Sequence, residues 1–266
     1  MVALASCSLL LADAAWAQSD ERVIDASDPT RIYTYMGAGL KYNEYTNSDH
    51  MIEFRAIGNI GLGEDDTILF EGGYGWHHDL FLEDGDESNW TNVRFRWFHL
   101  FDMNYDMERG YRGWGTQVDV QLAGRLPGTD GQNQVAIGVM PVFALGGDWN
   151  LYLQANVVSA WDKKWKNYNG TGPGVNVQFV YSPENWWPGA QVQIIPQYTY
   201  FVTSDLKGEG SGTLEINVGG QITPTIMWDI TGQKFYDLDL KSLRRDVFEP
   251  ELRNDWNVFL NVTTYF

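Results

Sequence analysis

Trp256-Asn257-Val258-Phe259-Leu260-Asn261-Val262-Thr263-Thr264-Tyr265-Phe266, the final stretch of the chain, decides the fold. Trp256, Val258, Leu260, Val262 and Phe266 share one parity, and Asn257, Asn261 and Thr263 the other. Successive side chains of a strand point to opposite faces, so this segment is a strand with one oily face and one wet face. It finishes on an aromatic residue of the oily parity. One such strand carries little weight unless the rest of the chain repeats it.

The repetition runs back to Arg31, with hardly any helical periodicity on the way. Met36, Ala38, Leu40 and Tyr42 alternate with Gly37, Gly39, Lys41 and Asn43. Ile52, Phe54, Ala56 and Ile60 alternate with Glu53, Arg55 and Asn59, and Ile68, Phe70, Tyr74 and Trp76 with Glu71, Gly73 and His77. Val93, Phe95 and Trp97 oppose Asn92, Arg94 and Arg96; Trp114, Val118, Val120 and Leu122 oppose Gln117, Asp119, Gln121 and Arg125. The sixth segment, 135–145, is apolar on both parities, which calls for a loop or plug over its inner side. The rule returns with Leu151, Leu153, Ala155 and Val157 against Asn150, Tyr152, Gln154 and Asn156, and with Val175, Val177, Phe179 and Tyr181 against Asn176 and Gln178. Val192, Ile194, Tyr198, Tyr200 and Val202 then face away from Gln191, Gln193, Gln197 and Thr199. Leu214, Ile216, Val218 and Ile222 face away from Glu215, Asn217 and Gln221, and Trp228 and Ile230 from Asp229 and Thr231. With the terminal strand this makes about twelve, an even number as in bacterial single-chain membrane barrels.

The connectors agree. Tight turn chemistry at 63–66, 104–107, 146–148, 182–185 and 223–224 alternates with links at 46–49, 80–90, 127–133, 162–173, 204–212 and 237–253 that are mostly longer and richer in Gly and charge. Short periplasmic turns and longer outer loops are expected of such a barrel. Pro141 and Pro196 fall inside strands, and a closed ladder accommodates proline at bulges, which are expected there.

Composition narrows the class further. The 266 residues are 44% hydrophobic and 20% charged, so a packed structure is expected; aromatic residues reach 15%, with 12 Trp and 14 Tyr, as interfacial girdles require. The formal net charge of −17 excludes nucleic acid as a partner. Residues 2–12 are largely apolar and Ala15-Trp16-Ala17 is a cleavage site of the A-x-A kind. The expected organisation is therefore a signal peptide at 1–17, a polar periplasmic lead-in at 18–31 and a barrel at 32–266. No basic residue precedes Arg22, and Leu4-Ala5-Ser6-Cys7 also fits a lipoprotein box. Cys7 is the one cysteine, so neither a disulfide framework nor a cysteine-rich metal site is available.

If the oily parity meets lipid, the wet parity lines a lumen. Lys41, Arg55, Arg94, Arg96 and Arg125 then form one contiguous side of the wall, interleaved with Glu53, Glu71 and Asp119. Gln154, Asn156, Gln178, Gln193, Gln197 and Asn217 lead the amides of the other side, which also carries Glu215 and Asp229. Such segregation sets a transverse field that orients dipolar solutes. Two other readings compete. The inward charges can pair and simply fill the interior, or a rim site near His77-His78-Asp79 and Ser88 can make the protein an outer-membrane hydrolase. Strand neighbours point to opposite faces, so His77 and His78 share a site only where the strand has ended. A soluble jelly roll is disfavoured by inward amides and arginines on nearly every strand.

From Ile32 to Phe266 the chain resembles the bacterial outer-membrane β-barrel class, whose assembly machinery reads a final aromatic, here Phe266, and the alternating residues before it. In size and strand number it is similar to the nucleoside-specific channel family, with no shared motif and hence no binding residue to carry over. The resemblance implies a non-enzymatic, cofactor-free channel in the bacterial outer membrane. Its partners would be lipid, lipopolysaccharide, the barrel-assembly machinery and a small polar solute such as a nucleoside or sugar.

Overall fold

The computed structural model describes residues 24, 28–45, 50–77, 88–125, 132–237 and 254–266. The expected signal peptide, Cys7, His78 and Asp79 lie outside them. Twelve strands form: β1 (Tyr35–Tyr45), β2 (His50–Leu62), β3 (Asp66–His77), β4 (Ser88–Phe101), β5 (Gly110–Ala123), β6 (Gln132–Gly146), β7 (Trp149–Asp162), β8 (Tyr168–Tyr181), β9 (Gln191–Tyr200), β10 (Gly210–Thr223), β11 (Ile226–Asp237) and β12 (Asn254–Tyr265). Each pairs antiparallel with its sequence neighbours, and β1 closes onto β12 with Ala38 opposite Val262 and Leu40 opposite Leu260. Closure removes the edges that an open sheet would leave unpaired. Strands of 10 to 15 residues match or exceed the 9–11 or so that a tilted strand needs to cross a bilayer core.

Burial shows which parity faces which way. Leu40 is 59% exposed, Ile137 58%, Val157 57% and Leu260 52%, whereas Asn43, Glu53, Asn257 and Asn261 are each 1% exposed. A water-soluble protein would sort these residues the other way round. Two aromatic belts bound the aliphatic band. Exposed Trp76, Trp90, Trp165, Tyr168, Tyr236 and Trp256 lie near the end with the long loops, and Trp97, Tyr111, Trp114, Trp149, Trp186 and Trp187 near the end with the short turns. Trp149 stacks on Tyr181 and Phe101 on Trp114, with centroids 4.8 and 4.3 Å apart. Amphipathic rings belong at the headgroup level, so the barrel is built to sit in a membrane.

The turns at 63–65, 147–148 and 224–225 are tight. Gly147 and Asp148 both have positive φ, 59° and 66°, the requirement of a two-residue hairpin turn matched to strand twist. The prolines behave differently from expectation. Pro196 and Pro141 both point outward, and register is continuous across each: Asn176↔Gln197 and Phe179↔Ile194 flank the first, Val139↔Ala155 and Val142↔Tyr152 the second. Each proline therefore removes ladder pairings without inserting a residue, because an absent N–H can be left facing a gap when the neighbours hold register.

Bulges occur elsewhere. The β5–β6 register shifts between Tyr111 and Gly113, and the β3–β4 register between Gly73 and Tyr74. Inside the barrel, near the short-turn end, Leu100, Met140, Val142, Tyr152 and Val180 form an apolar cluster, with Ile32, Phe98 and Met103 packed against it. This explains why β6 is apolar on both parities: Ile32 ahead of β1 and Met103 beyond β4 cover its inner side.

Candidate functional site

The lumen has a charged wall and an amide wall. On β2, Arg55 donates from Nε to Glu53 Oε1 at 2.8 Å and its Nη1 lies 3.6 Å from Glu71 Oε2. On β4, Arg94 grips Asp119 with Nε and Nη2 and lies 3.8 Å from Glu71 Oε1. Arg96 reaches Asp119 only at 3.7 Å. These strands are neighbours, so side chains of one parity project into one patch. A bulge and two glycines make the room. Thr91 is the extra residue of β4, and a Cβ on Gly73 would sit 2.1 Å from Glu53 Oε1. Gly39 leaves space for the Phe259 ring, which points inward and stands 6.0 Å from the Arg55 guanidinium.

The opposite wall is a chain of amides and hydroxyls. Gln178 donates to Gln193 (2.9 Å), which donates to Gln191 (3.0 Å). Asn217 donates to Asp229 and Thr231, Asn261 to Asp229 and Thr263, and Asn257 to Gln233, which donates to Glu215. Gln117 donates to Asn156 at 2.6 Å. Carboxylates only accept, so the amides must turn their NH2 groups toward Asp229 and leave their carbonyl oxygens for something else.

The mouth at the short-turn end is bridged by the segment that precedes β1. The Ile24 carbonyl accepts from Gln221 on β10 (3.2 Å), and the Tyr33 carbonyl from Asn59 on β2 (2.6 Å). Between them Asp28 accepts from the Tyr152 hydroxyl on β7 (2.9 Å) and pairs with Arg112 on β5 (3.3 Å). Tyr105 donates to the Thr30 carbonyl (2.9 Å), and the Arg31 guanidinium lies 3.8 Å above the Tyr105 ring. Arg112 points inward because it is the extra residue of the β5 bulge; Gly113 follows it at φ 137°, where a Cβ would also meet Met103 Sδ at 2.8 Å. Arg112 also donates to Asn150 Oδ1 and the carbonyls of Asn104 and Tyr105. Phe266 sits beside this segment, its N–H donating to the Thr34 carbonyl and its side chain exposed.

Of the residues selected from sequence, Lys41, Arg55, Glu71, Arg94, Arg96 and Asp119 come together on the charged side, and Lys41 is buried. Gln154, Asn156, Gln178, Gln193, Gln197 and Asn217 lie on the inward parity of β7 to β10, with Gln197 beside Asn176 in register. Gln154 faces the apolar cluster, where its Nε2 lies 3.5 Å from Met140 Sδ. Arg125 is apart from the rest: it lies beyond β5 and is exposed. Asp28, Arg112 and Phe259 were not selected. Arg112 had a signal, the Gly113 that follows it within a strand pattern, which is a mark of a bulge.

No protein-family model and no curated protein sequence matches this chain. Solved structures do. An outer-membrane channel from Pseudomonas putida F1 superposes with a TM-score of 0.58 at 10% identity, over 92% of this chain and 100% of that one. The KdgM porin in complex with disordered oligogalacturonate superposes with 0.54 at 7% identity, over 86% and 99%. At such identities the likeness is one of fold, and this chain has the fold of a twelve-stranded outer-membrane β-barrel.

Proposed function

We propose that the protein is an outer-membrane channel for small polar solutes, closed at its periplasmic mouth by its own residues 24 and 28–34. The observation that carries this reading is the inward face. A barrel needed only as a wall has no use for Arg96 with a quarter of its side chain exposed into the interior, nor for an amide chain across from it. Twelve strands give a lumen between the filled eight-stranded and the open sixteen-stranded cases. Outer-membrane channels of similar fold support the reading without naming the solute.

The function is non-enzymatic in this reading. Ser88, the nucleophile that a rim hydrolase would need, shares a hydrogen bond with the Tyr74 hydroxyl at 3.1 Å, and His77 lies buried against the Tyr45 ring. Neither is arranged as a nucleophile and base.

The test is single-channel conductance of the refolded protein in a planar bilayer, with salt gradients to read ion preference. Discrete steps are expected. Arg94→Gln together with Arg96→Gln is expected to move reversal potential toward cation preference while heat-modifiable gel migration stays normal. Unchanged preference would mean these arginines are paired filler, and a barrel that never conducts, even with residues 24–34 deleted, would sink the channel reading.

A further inference from the structure

The charges of the lumen do not cancel locally. On the β1–β5 side Lys41, Arg55, Arg94 and Arg96 face three carboxylates, Glu53, Glu71 and Asp119. Glu53 and Glu71 serve Arg55, and Asp119 is gripped twice by Arg94. Arg96 is left with the 3.7 Å contact to Asp119 and, among the described residues, donates no hydrogen bond. Across the lumen Glu215 and Asp229 form no ion pair among the described residues. Gln233 donates to Glu215 at 2.5 Å, and Asn217, Asn261 and Thr231 donate to Asp229 at 3.2, 2.9 and 3.4 Å. All of these partners are neutral.

The amide wall carries a second, independent mark. The Oδ1 atoms of Asn217, Asn257 and Asn261 are buried and accept no hydrogen bond from the described residues. The NH2 groups on this wall are turned to the two acids or to neighbouring side chains, which leaves these three buried carbonyl oxygens without a donor among the described residues and leaves the half-exposed Glu215 as a negative charge on the inward face. Arg96 on β4 and Glu215 on β10 stand on facing walls, since the two strands lie half-way round the closed barrel from one another and both side chains are on the inward parity. A cavity of about 120 Å³ lies among Tyr35, Ile57, Leu69, Glu71, Arg94 and Arg96, giving room for a short apolar stem beside the arginine.

We propose that Arg96 and Glu215 form a two-point site for zwitterions of the amino-acid class, the solute's carboxylate on Arg96 and its ammonium on Glu215. The proposal names the solute of the channel described above and rests on that reading. A plain anion would be held by Arg96 but repelled by Glu215 and Asp229. A plain cation meets the reverse, and a neutral solute gains neither charge-assisted contact. Two fixed charges of opposite sign on facing walls are satisfied together only by a molecule that carries both.

The probes are four solutes on one three-carbon skeleton: L-alanine, lactate, 1-amino-2-propanol and 1,2-propanediol. Two readouts are used, block of the ion current in planar bilayers and titration calorimetry on the detergent-solubilised barrel. Alanine is expected to bind and block at least about tenfold better than the other three, the usual penalty for one lost charge-assisted hydrogen bond. Arg96→Gln and the isosteric Glu215→Gln should each weaken alanine by a similar factor, with heat-modifiable migration unchanged. Equal binding of all four solutes, or full alanine binding by both variants, overturns the zwitterion site and leaves a conducting channel intact. Selective binding by a barrel that never conducts keeps the site and overturns the channel.

Discussion

Replacing Asp28 with alanine should unlatch the segment that bridges the mouth at the short-turn end. The Asp28 carboxylate accepts from the Thr30 N–H (2.9 Å), the Thr30 hydroxyl (2.5 Å) and the Tyr152 hydroxyl (2.9 Å), and lies 3.3 Å from Arg112. Both ends of the ion pair are buried, with side chains 6% and 3% exposed. Removing one partner of a buried pair costs about 3–5 kcal/mol, mostly because the other charge is stranded. Arg112 keeps Asn150 and two carbonyls, so the lower end of that range applies. About 3 kcal/mol corresponds to a shift of roughly a hundredfold in the equilibrium between docked and undocked segment. Asp28→Asn retains an acceptor for Tyr152 but not the charge, and should fall between wild type and Asp28→Ala. Single-channel recording reads the effect as a higher open probability or a larger unitary conductance. Hydrogen exchange of the Thr30 and Arg31 amides reads it without conduction. If Asp28→Ala matches wild type in both, the latch carries no energy and the reasoning fails.

Other consequences are as direct. Gly73→Val places a Cβ on Glu53 Oε1 and Thr91 Oγ1 and should break the Glu53–Arg55 pair, lowering stability by about 3 kcal/mol in a denaturant titration. Leu40→Arg, in the middle of the outward aliphatic band beside Leu260 and Phe54, should cost about 2–4 kcal/mol in lipid; a neutral result in bilayers would mean that this face does not meet hydrocarbon. Deleting Phe266 removes an exposed aromatic and the N–H that holds the Thr34 carbonyl, and the fraction of folded barrel recovered from membranes should drop. Undiminished assembly would remove the role assigned to the terminal residue.

Alternation carried most of the fold because it is a local property. Whether Leu40 or Lys41 meets lipid is written in neighbouring residues, and the same two-residue period reappears in nearly every strand. Arg55, Arg94, Arg96 and the amides of β7 to β10 could therefore be assigned to one face before any contact was known. Reading failed where the period slips. Arg112 and Thr91 sit at bulges, which put two successive residues on the same face and defeat a parity count. Arg125 belongs to the right parity but lies past the end of its strand. The expectation of bulges at Pro141 and Pro196 treated a missing N–H as an extra residue, whereas the ladder tolerates a skipped bond more readily than a shift of every later side chain to the other face.

The amino-acid sequence by itself determined a twelve-stranded wall with an oily outer face, a wet inner face, aromatic ends and alternating short and long links, since each follows from the chemistry of residues a few positions apart. Only the tertiary structure decided who meets whom across the interior. Closing β1 onto β12 set Glu215 and Asp229 opposite Arg96, and brought Asp28 against Arg112 and Tyr152. Those partners are separated by tens of residues or more, and their pairing depends on barrel closure, strand register and two bulges together, none of which a local pattern encodes.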